Sequence, residues 1–287
     1  MFYLIFSVLL STAIFITFKL FERFEINITQ ALVTNYLIAS ALGFMLSENY
    51  SFVEIQEKEW FVYAIVCGVT LIITFNIFAV STQKAGIAIT AVSGKMSVII
   101  PIIFGVLIYK ESVGIFKIVG IIAALLSFYL TFRKSKNEKK PDLRYILLPL
   151  LLFIGNGFND TLLKHSERNF VHNDTIVFLS TAFLFSFFIG LTILTISSII
   201  KKRRIQLKSI IAGIILGLLN WGSTYFFLKG LCLFESSFFF PVLNVSIVVL
   251  SALAGYFIFK EKLSLINWLG VFIAAVSIIL ITFATTN

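Results

Sequence analysis

Ten stretches of roughly twenty mostly apolar residues follow one another along this chain, joined by short polar connections. They run over Phe2–Phe21, Ala31–Ser47, Trp60–Gln83, Ile87–Tyr109, Val113–Phe132, Leu143–Lys164, Thr175–Ile200, Leu207–Lys229, Ser236–Phe259 and Leu263–Phe283. Each is about as long as a helix that crosses the hydrocarbon core of a bilayer, and no connection is long enough to hold a soluble domain. A soluble fold of 287 residues could not hide 59% hydrophobic residues from water, so the excess must face lipid. The pattern predicts an all-α integral membrane protein of ten transmembrane helices.

The chain also repeats itself. Residues 105–130 align without gaps on 255–280 at a shift of 150, with Gly105/Gly255, Ile108/Ile258, Lys110/Lys260, Glu111/Glu261, Gly120/Gly270, Ala124/Ala274, Ser127/Ser277 and Leu130/Leu280 identical. Apolar matches arise cheaply in this composition; a Lys-Glu pair and two glycines at fixed spacing do not. A second echo pairs Lys19, Glu22 and Arg23 of KLFER with Lys164, Glu167 and Arg168 of KHSER, at a shift of 145. The chain therefore divides into five-helix repeats at 1–132 and 145–287, joined by a basic linker at 133–144 that carries Pro141. Five spans per half is an odd number, so the second half must enter the membrane from the opposite face. Inverted repeats of this kind point to a transporter with its substrate site near the midplane.

Net charge is +9, but the basic residues sit in runs between apolar segments, which reads as membrane topology and not as a nucleic-acid surface. Sixteen Lys and Arg fall in connections after odd-numbered spans or at the span ends flanking them, against six for even-numbered ones; Lys95 lies near the centre of a span. That bias predicts the odd connections in the cytoplasm and both termini outside. MFYLIF has neither a basic n-region nor a cleavage site and reads as a first membrane helix. Cys67 and Cys232 stand in apolar stretches with no Cys/His cluster, so they read as small hydrophobes, and neither metal nor cofactor is expected.

SGKMSVIIPIIFGVLIYKE with KIVGIIAALLSFYL, and FFFPVLNVSIVVLSALAGYFIFKE with NWLGVFIAAVSIIL, resemble the drug/metabolite transporter superfamily, nearest its EamA-like branch. The resemblance spans nearly the whole chain. It implies a central cavity lined by helices 1, 3, 4, 6, 8 and 9, with 5 and 10 peripheral. It also implies secondary transport, often export, of small metabolites, and a bacterial inner-membrane location. The halves depart from one another at proline: Pro101 aligns with Ser251, and Pro241 with Ala91.

Polar side chains at membrane depth are costly and usually face a bundle interior or a wet cavity. Spans 5 and 10 contribute none at that depth; spans 3, 4, 6, 8 and 9 contribute Asn76, Lys95, Asn156, Asn159, Asp160, Asn220 and Asn244. Lys95, central in its span, suits an anionic substrate group or a gating proton, against a structural pairing with Asp160 or with carbonyls near Pro101, which leaves the Ser97 carbonyl without its helical donor. Asp160 suits a proton-coupling carboxylate, against an i, i+4 pair with Lys164. Gly213, Gly217, Asn220 and Thr224 form one face of span 8, where glycines allow close packing and Asn220 serves either a neighbouring helix or a ligand. Trp221, near mid-depth, either stacks on substrate or packs. Ser237, Pro241, Asn244, Ser251 and Gly255 line one side of span 9, which a proline can bend. Glu235 complements the dipole of that helix, and Glu111 and Glu261 fix loops. The candidate substrate-binding set is Lys95, Asn76, Asn156, Asp160, Asn220, Trp221 and Asn244 for a small, anionic or amino-acid-like solute, with membrane lipid as the other partner. A lipid or polyisoprenoid flippase is the alternative, since a lysine facing a phosphate would look the same. A membrane-embedded enzyme fits less well: both histidines, His165 and His172, share one loop, and no carboxylate cluster suggests a metal.

Overall fold

The computed structural model describes residues 1–47, 51–84, 94, 97, 99–110, 114–131, 147–201, 205–259 and 264–286. Its long helices are α1 (Phe2–Arg23), α2 (Ile28–Leu46), α3 (Phe61–Lys84), α4 (Ile99–Tyr109), α5 (Ile115–Thr131), α6 (Leu147–Ser166), α7 (Thr175–Lys201), α8 (Leu207–Leu233), α9 (Ser236–Phe257) and α10 (Leu265–Thr286). A short helix, Phe52–Gln56, precedes α3, and a π-helical turn, Glu167–Val171, prolongs α6. Lys95, Glu111, Lys260, Glu261 and the basic linker expected at 133–144 lie outside the described residues.

Among the described residues six helices are long and apolar enough to cross a membrane: α1, α2 and α8, with Phe61–Ser81 of α3, Thr175–Ser197 of α7 and Phe238–Phe257 of α9. Shorter apolar stretches are Ile99–Tyr109, Ile118–Ser127 and Trp268–Ser277. The exterior is that of a lipid-facing protein. Val62, Leu107, Ile199, Ile200 and Phe272 are exposed, while Ser7, Asn35, Ser81, Ser180 and Ser186 are fully buried. Hydroxyls and amides that would cost free energy in hydrocarbon are turned inward.

Local chemistry sets the helix ends. α2 begins before the expected Ala31 because the Asn27 side chain accepts from the Gln30 N–H at 3.2 Å and caps the helix. The short helix carries a capping box, Ser51 with Glu54. Pro101 falls in the first turn of the described part of α4, where its missing N–H is harmless. The Ser97 carbonyl, expected to lack a donor, accepts from the Ile100 N–H at 2.9 Å.

The helices pack in matched couples. α1 lies on α8 as α6 lies on α3; α2 on α8 as α7 on α3; α1 on α9 as α6 on α4. α2 also packs on α7, α5 on α10 and α4 on α9. The α5–α10 pair sits to one side, against α9, and presents Ile122, Leu126, Leu269 and Phe272 outward. At its seam the Ser277 hydroxyl donates to the Gly120 carbonyl at 2.8 Å. Both residues belong to the small-residue matches of the repeat, so those matches mark a close helix contact.

Two further seams are close because glycine faces backbone. A Cβ on Gly213 would stand 2.6 Å from the Ala31 carbonyl oxygen, and one on Gly217 2.8 Å from that of Asn35, so α8 presses on α2. A Cβ on Gly68 would stand 2.5 Å from the Ala182 oxygen, and the Ser186 hydroxyl donates to the Gly68 carbonyl at 2.8 Å, so α3 presses on α7 in the same way.

Candidate functional site

Two polar seams join helices within the bundle. Between α3 and α6, the Thr70 hydroxyl donates to the Asn159 side-chain carbonyl, and the Asn159 amide donates to the Thr74 hydroxyl at 3.0 Å. Between α8 and α1, the Ser223 and Ser11 hydroxyls share a hydrogen bond at 2.7 Å, and the Ser7 hydroxyl donates to the Ser223 carbonyl at 3.4 Å. Each seam pairs a hydroxyl of one helix with a polar side chain of the other.

The residues expected from sequence are distributed around these seams. Asn156, half-buried, donates to the Gly94 carbonyl at 3.4 Å and so ties α6 to the segment leading into α4. Asp160 is half-buried beside Asn159. Asn76, also half-buried, donates to the Ile72 carbonyl of its own helix at 2.8 Å. Asn220 faces α2: its amide donates to the Asn35 side-chain oxygen at 3.2 Å, on the same helix face as Gly213 and Gly217. Asn220 thus belongs to a helix–helix contact. Trp221 stacks on Tyr225 with ring centroids 5.2 Å apart and 6° between planes, and its buried indole N–H has no acceptor among the described residues. Asn244 is buried in α9. Among the described residues, Asn156, Asn159 and Asp160 share α6, while Asn220 and Trp221 lie on α8. Thr70, Thr74, Ser11, Ser223 and Asn35 were not singled out from sequence.

The family's sequence pattern matches this chain twice, over residues 1–133 and 143–283. The chain belongs to the EamA-like transporter family. It is therefore a member of a membrane transporter family, which implies a small-molecule solute as partner, and its apolar helices make it an integral membrane protein. An uncharacterized protein of Haemophilus influenzae is 27% identical over 276 residues, covering 93% of each chain. A solved crystal structure shares the fold with a TM-score of 0.79, covering 99% of this chain and 96% of the other at 12% identity.

At one end of the bundle the ends of α4, α6 and α8 and the start of α9 enclose a cavity of about 850 Å³. Its wall includes Lys164, Glu167 and Arg168, the residues of the KHSER echo. Lys164 is buried and donates to the Leu231 and Phe234 carbonyls at 3.2 and 3.4 Å, answering orphan carbonyls at the end of α8. The Arg168 guanidinium lies 4.1 Å above the Tyr109 ring, at the end of α4. In the other half the Lys19 ammonium lies 4.7 Å from the Phe259 ring, just past the end of α9. Position 259 is the 150-residue counterpart of 109, and Lys19 and Arg23 are the counterparts of Lys164 and Arg168. The same pair of helix ends therefore meets through a cation and an aromatic ring twice.

Glu167 is buried in the cavity wall, where Cys232 and Thr175 donate to its carboxylate oxygens. Burial pushes its carboxyl above the ordinary glutamate value, partly offset by those hydrogen bonds and by Lys229 and His172.

Proposed function

We propose that the chain is a ten-span secondary carrier of small organic solutes with an anionic or amino-acid-like group, built from two inverted five-helix repeats divided near 133–144. The observation that carries this reading is the matched packing. Each unlike pair, α1–α8, α2–α8 and α1–α9, has its counterpart five helices on, and the cation–aromatic contact recurs at the ends of α1 with α9 and α6 with α4. A two-fold axis in the membrane plane produces such couples. Under it, the polar α3–α6 and α1–α8 seams are equivalent walls around the midplane, with Lys95, Asn76, Asn156, Asp160, Asn220, Trp221 and Asn244 as candidate solute and gating residues. The Lys and Arg bias supports an orientation with both termini outside, and the family resemblance supports a bacterial cytoplasmic membrane and export.

Purified chain in proteoliposomes, screened for flux of amino acids, sugar phosphates and nucleobases, tests the carrier. Flux of a solute that Lys95→Gln abolishes without loss of fold supports it. Headgroup translocation with no solute flux would replace it with a flippase, and turnover in detergent with an enzyme. Orientation is tested on intact cells: an impermeant reagent that reaches a cysteine placed at Lys136 but not one at Asn287 would reverse it.

A further inference from the structure

We propose that Glu167 is a proton-binding site of the 850 Å³ vestibule, and that its protonation raises the affinity of that vestibule for an anionic group of the solute. This rests on the carrier reading for its purpose, but not for its chemistry.

Glu167 is only 6% exposed, yet its side chain forms part of the cavity wall. Both groups that donate to its carboxylate, the Cys232 thiol and the Thr175 hydroxyl, are neutral. No lysine or arginine nitrogen lies within ion-pair distance of it among the described residues. A carboxylate held this way is poorly compensated when charged, whereas its neutral form loses little. The nearby cations are engaged elsewhere: Lys164 with two backbone carbonyls, Arg168 with the Tyr109 ring. Lys229 of α8 and His172 act on Glu167 only at a distance.

The remaining charges decide the consequence. Around the cavity stand Lys110, Lys164 and Arg168 against Glu167 and Glu235, with His172 as the other titratable group. With Glu167 ionised the wall carries one net positive charge, and with Glu167 protonated two, His172 being counted neutral. A proton taken from cavity water onto a carboxylate oxygen therefore strengthens the attraction for a carboxylate or phosphate group, and a bound anion strengthens the hold on the proton by the same factor. The proton returns to water when the anion leaves.

Cys232 makes this measurable, because it is exposed in the same cavity while Cys67 is buried. The full chain in nanodiscs is treated with two methanethiosulfonates of similar size, one carrying a sulfonate and one a trimethylammonium. The ratio of their rates at Cys232 cancels thiol ionisation and reports local charge. In the parent and in His172→Gln the anionic-to-cationic ratio should rise about fivefold or more as the pH is lowered from mildly alkaline to mildly acidic. In Glu167→Gln with His172→Gln it should be high and flat. Glu167→Asp, which keeps a titrating carboxyl, should restore a rise and covers the case in which the glutamine variant misfolds. A flat ratio in His172→Gln, an undiminished rise in the double variant, or no reaction at Cys232 with either reagent would overturn the proposal. None of these readings needs solute flux, so a chain that shows the titration but moves no solute sinks the carrier reading alone.

Discussion

Replacing Gly213 by alanine tests the claim that α8 is seated on α2 backbone to backbone. The added Cβ would lie 2.6 Å from the Ala31 carbonyl oxygen, 2.6 Å from Thr34 Cβ and 3.1 Å from Ala31 Cα. None of these is the free end of a flexible side chain, so the helices must separate. Overpacking of this kind costs about 1–3 kcal/mol. Gly217→Ala meets the Asn35 oxygen at 2.8 Å and Ile38 Cβ at 2.9 Å and should cost a similar amount. Because one displacement of α8 relieves both clashes, the double variant should cost less than the sum of the two. Gly114→Ala is the control, since a Cβ there has no neighbour within 4 Å among the described residues. The assay is reversible unfolding in mixed detergent micelles with rising SDS fraction. If Gly213→Ala unfolds with the parent and with Gly114→Ala, or if the double variant is additive, the close approach of these helices is wrong.

Asn220→Leu should lower stability by about 1–2 kcal/mol in the same assay, because it leaves the fully buried Asn35 side chain without its donor, and adding Asn35→Leu should recover most of the loss. Lys58→Ala should cost less than about 1 kcal/mol, since the 2.9 Å pair with Asp174 is partly in solvent. Asp174→Ala should cost more, about 1–3 kcal/mol, because it also strips the acceptor from the buried Trp60 indole N–H; equal losses for the two would contradict this. Burial raises the Glu167 carboxyl, so the folded chain holds that proton more tightly than the unfolded one. The contribution is complete below the unfolded carboxyl's range and is lost as pH rises through the raised value. Thermal unfolding should therefore favour Glu167→Gln over the parent increasingly as pH rises to neutral, and a pH-independent difference would refute it.

Helix positions were legible in the sequence because lipid demands long apolar runs; the helices follow the expected boundaries to within a few residues at most ends, and six of them are long and apolar enough to cross a membrane. The start of α2 was missed by three residues because its signal is a single capping side chain, Asn27. Gly213 and Gly217 were readable as packing residues, but which helix they meet was not, since a glycine stripe states closeness and not partner. Hydroxyls hid more. Thr12, Thr17 and Thr161 donate to carbonyls four residues back in their own helices, while Thr70 also reaches across to Asn159. A threonine in an apolar run looks alike in both cases. Asn35 was detectable, an amide in the middle of an apolar span, and passed over. Glu167 stood out only as a repeat match; its burial depends on α8 and the π-helical turn closing over it, which no local pattern announces.

On the proposed repeat, the two helix-end contacts are alike in plan and unequal in strength. At one end a lysine ammonium sits 4.7 Å from the Phe259 ring. At the other a planar guanidinium lies 4.1 Å over Tyr109, whose hydroxyl is also within hydrogen-bond reach of His165 at 3.0 Å and of the Asn169 amide at 3.3 Å. Phenylalanine at 259 can offer no counterpart to that hydroxyl. Each such hydrogen bond contributes about 0.5–1.5 kcal/mol net, on top of a cation–aromatic contact of about 0.5–1 kcal/mol at exposed sites. A carrier with identical ends would populate its two facing states equally; were this chain such a carrier, a difference of this size would shift that balance severalfold towards holding the Tyr109 end together. On that reading the equivalent helix ends meet through a cation and a ring although the cations, Lys19 and Arg168, are not counterparts, and Tyr109, His165 and Asn169 would bias the bundle towards closure at their end.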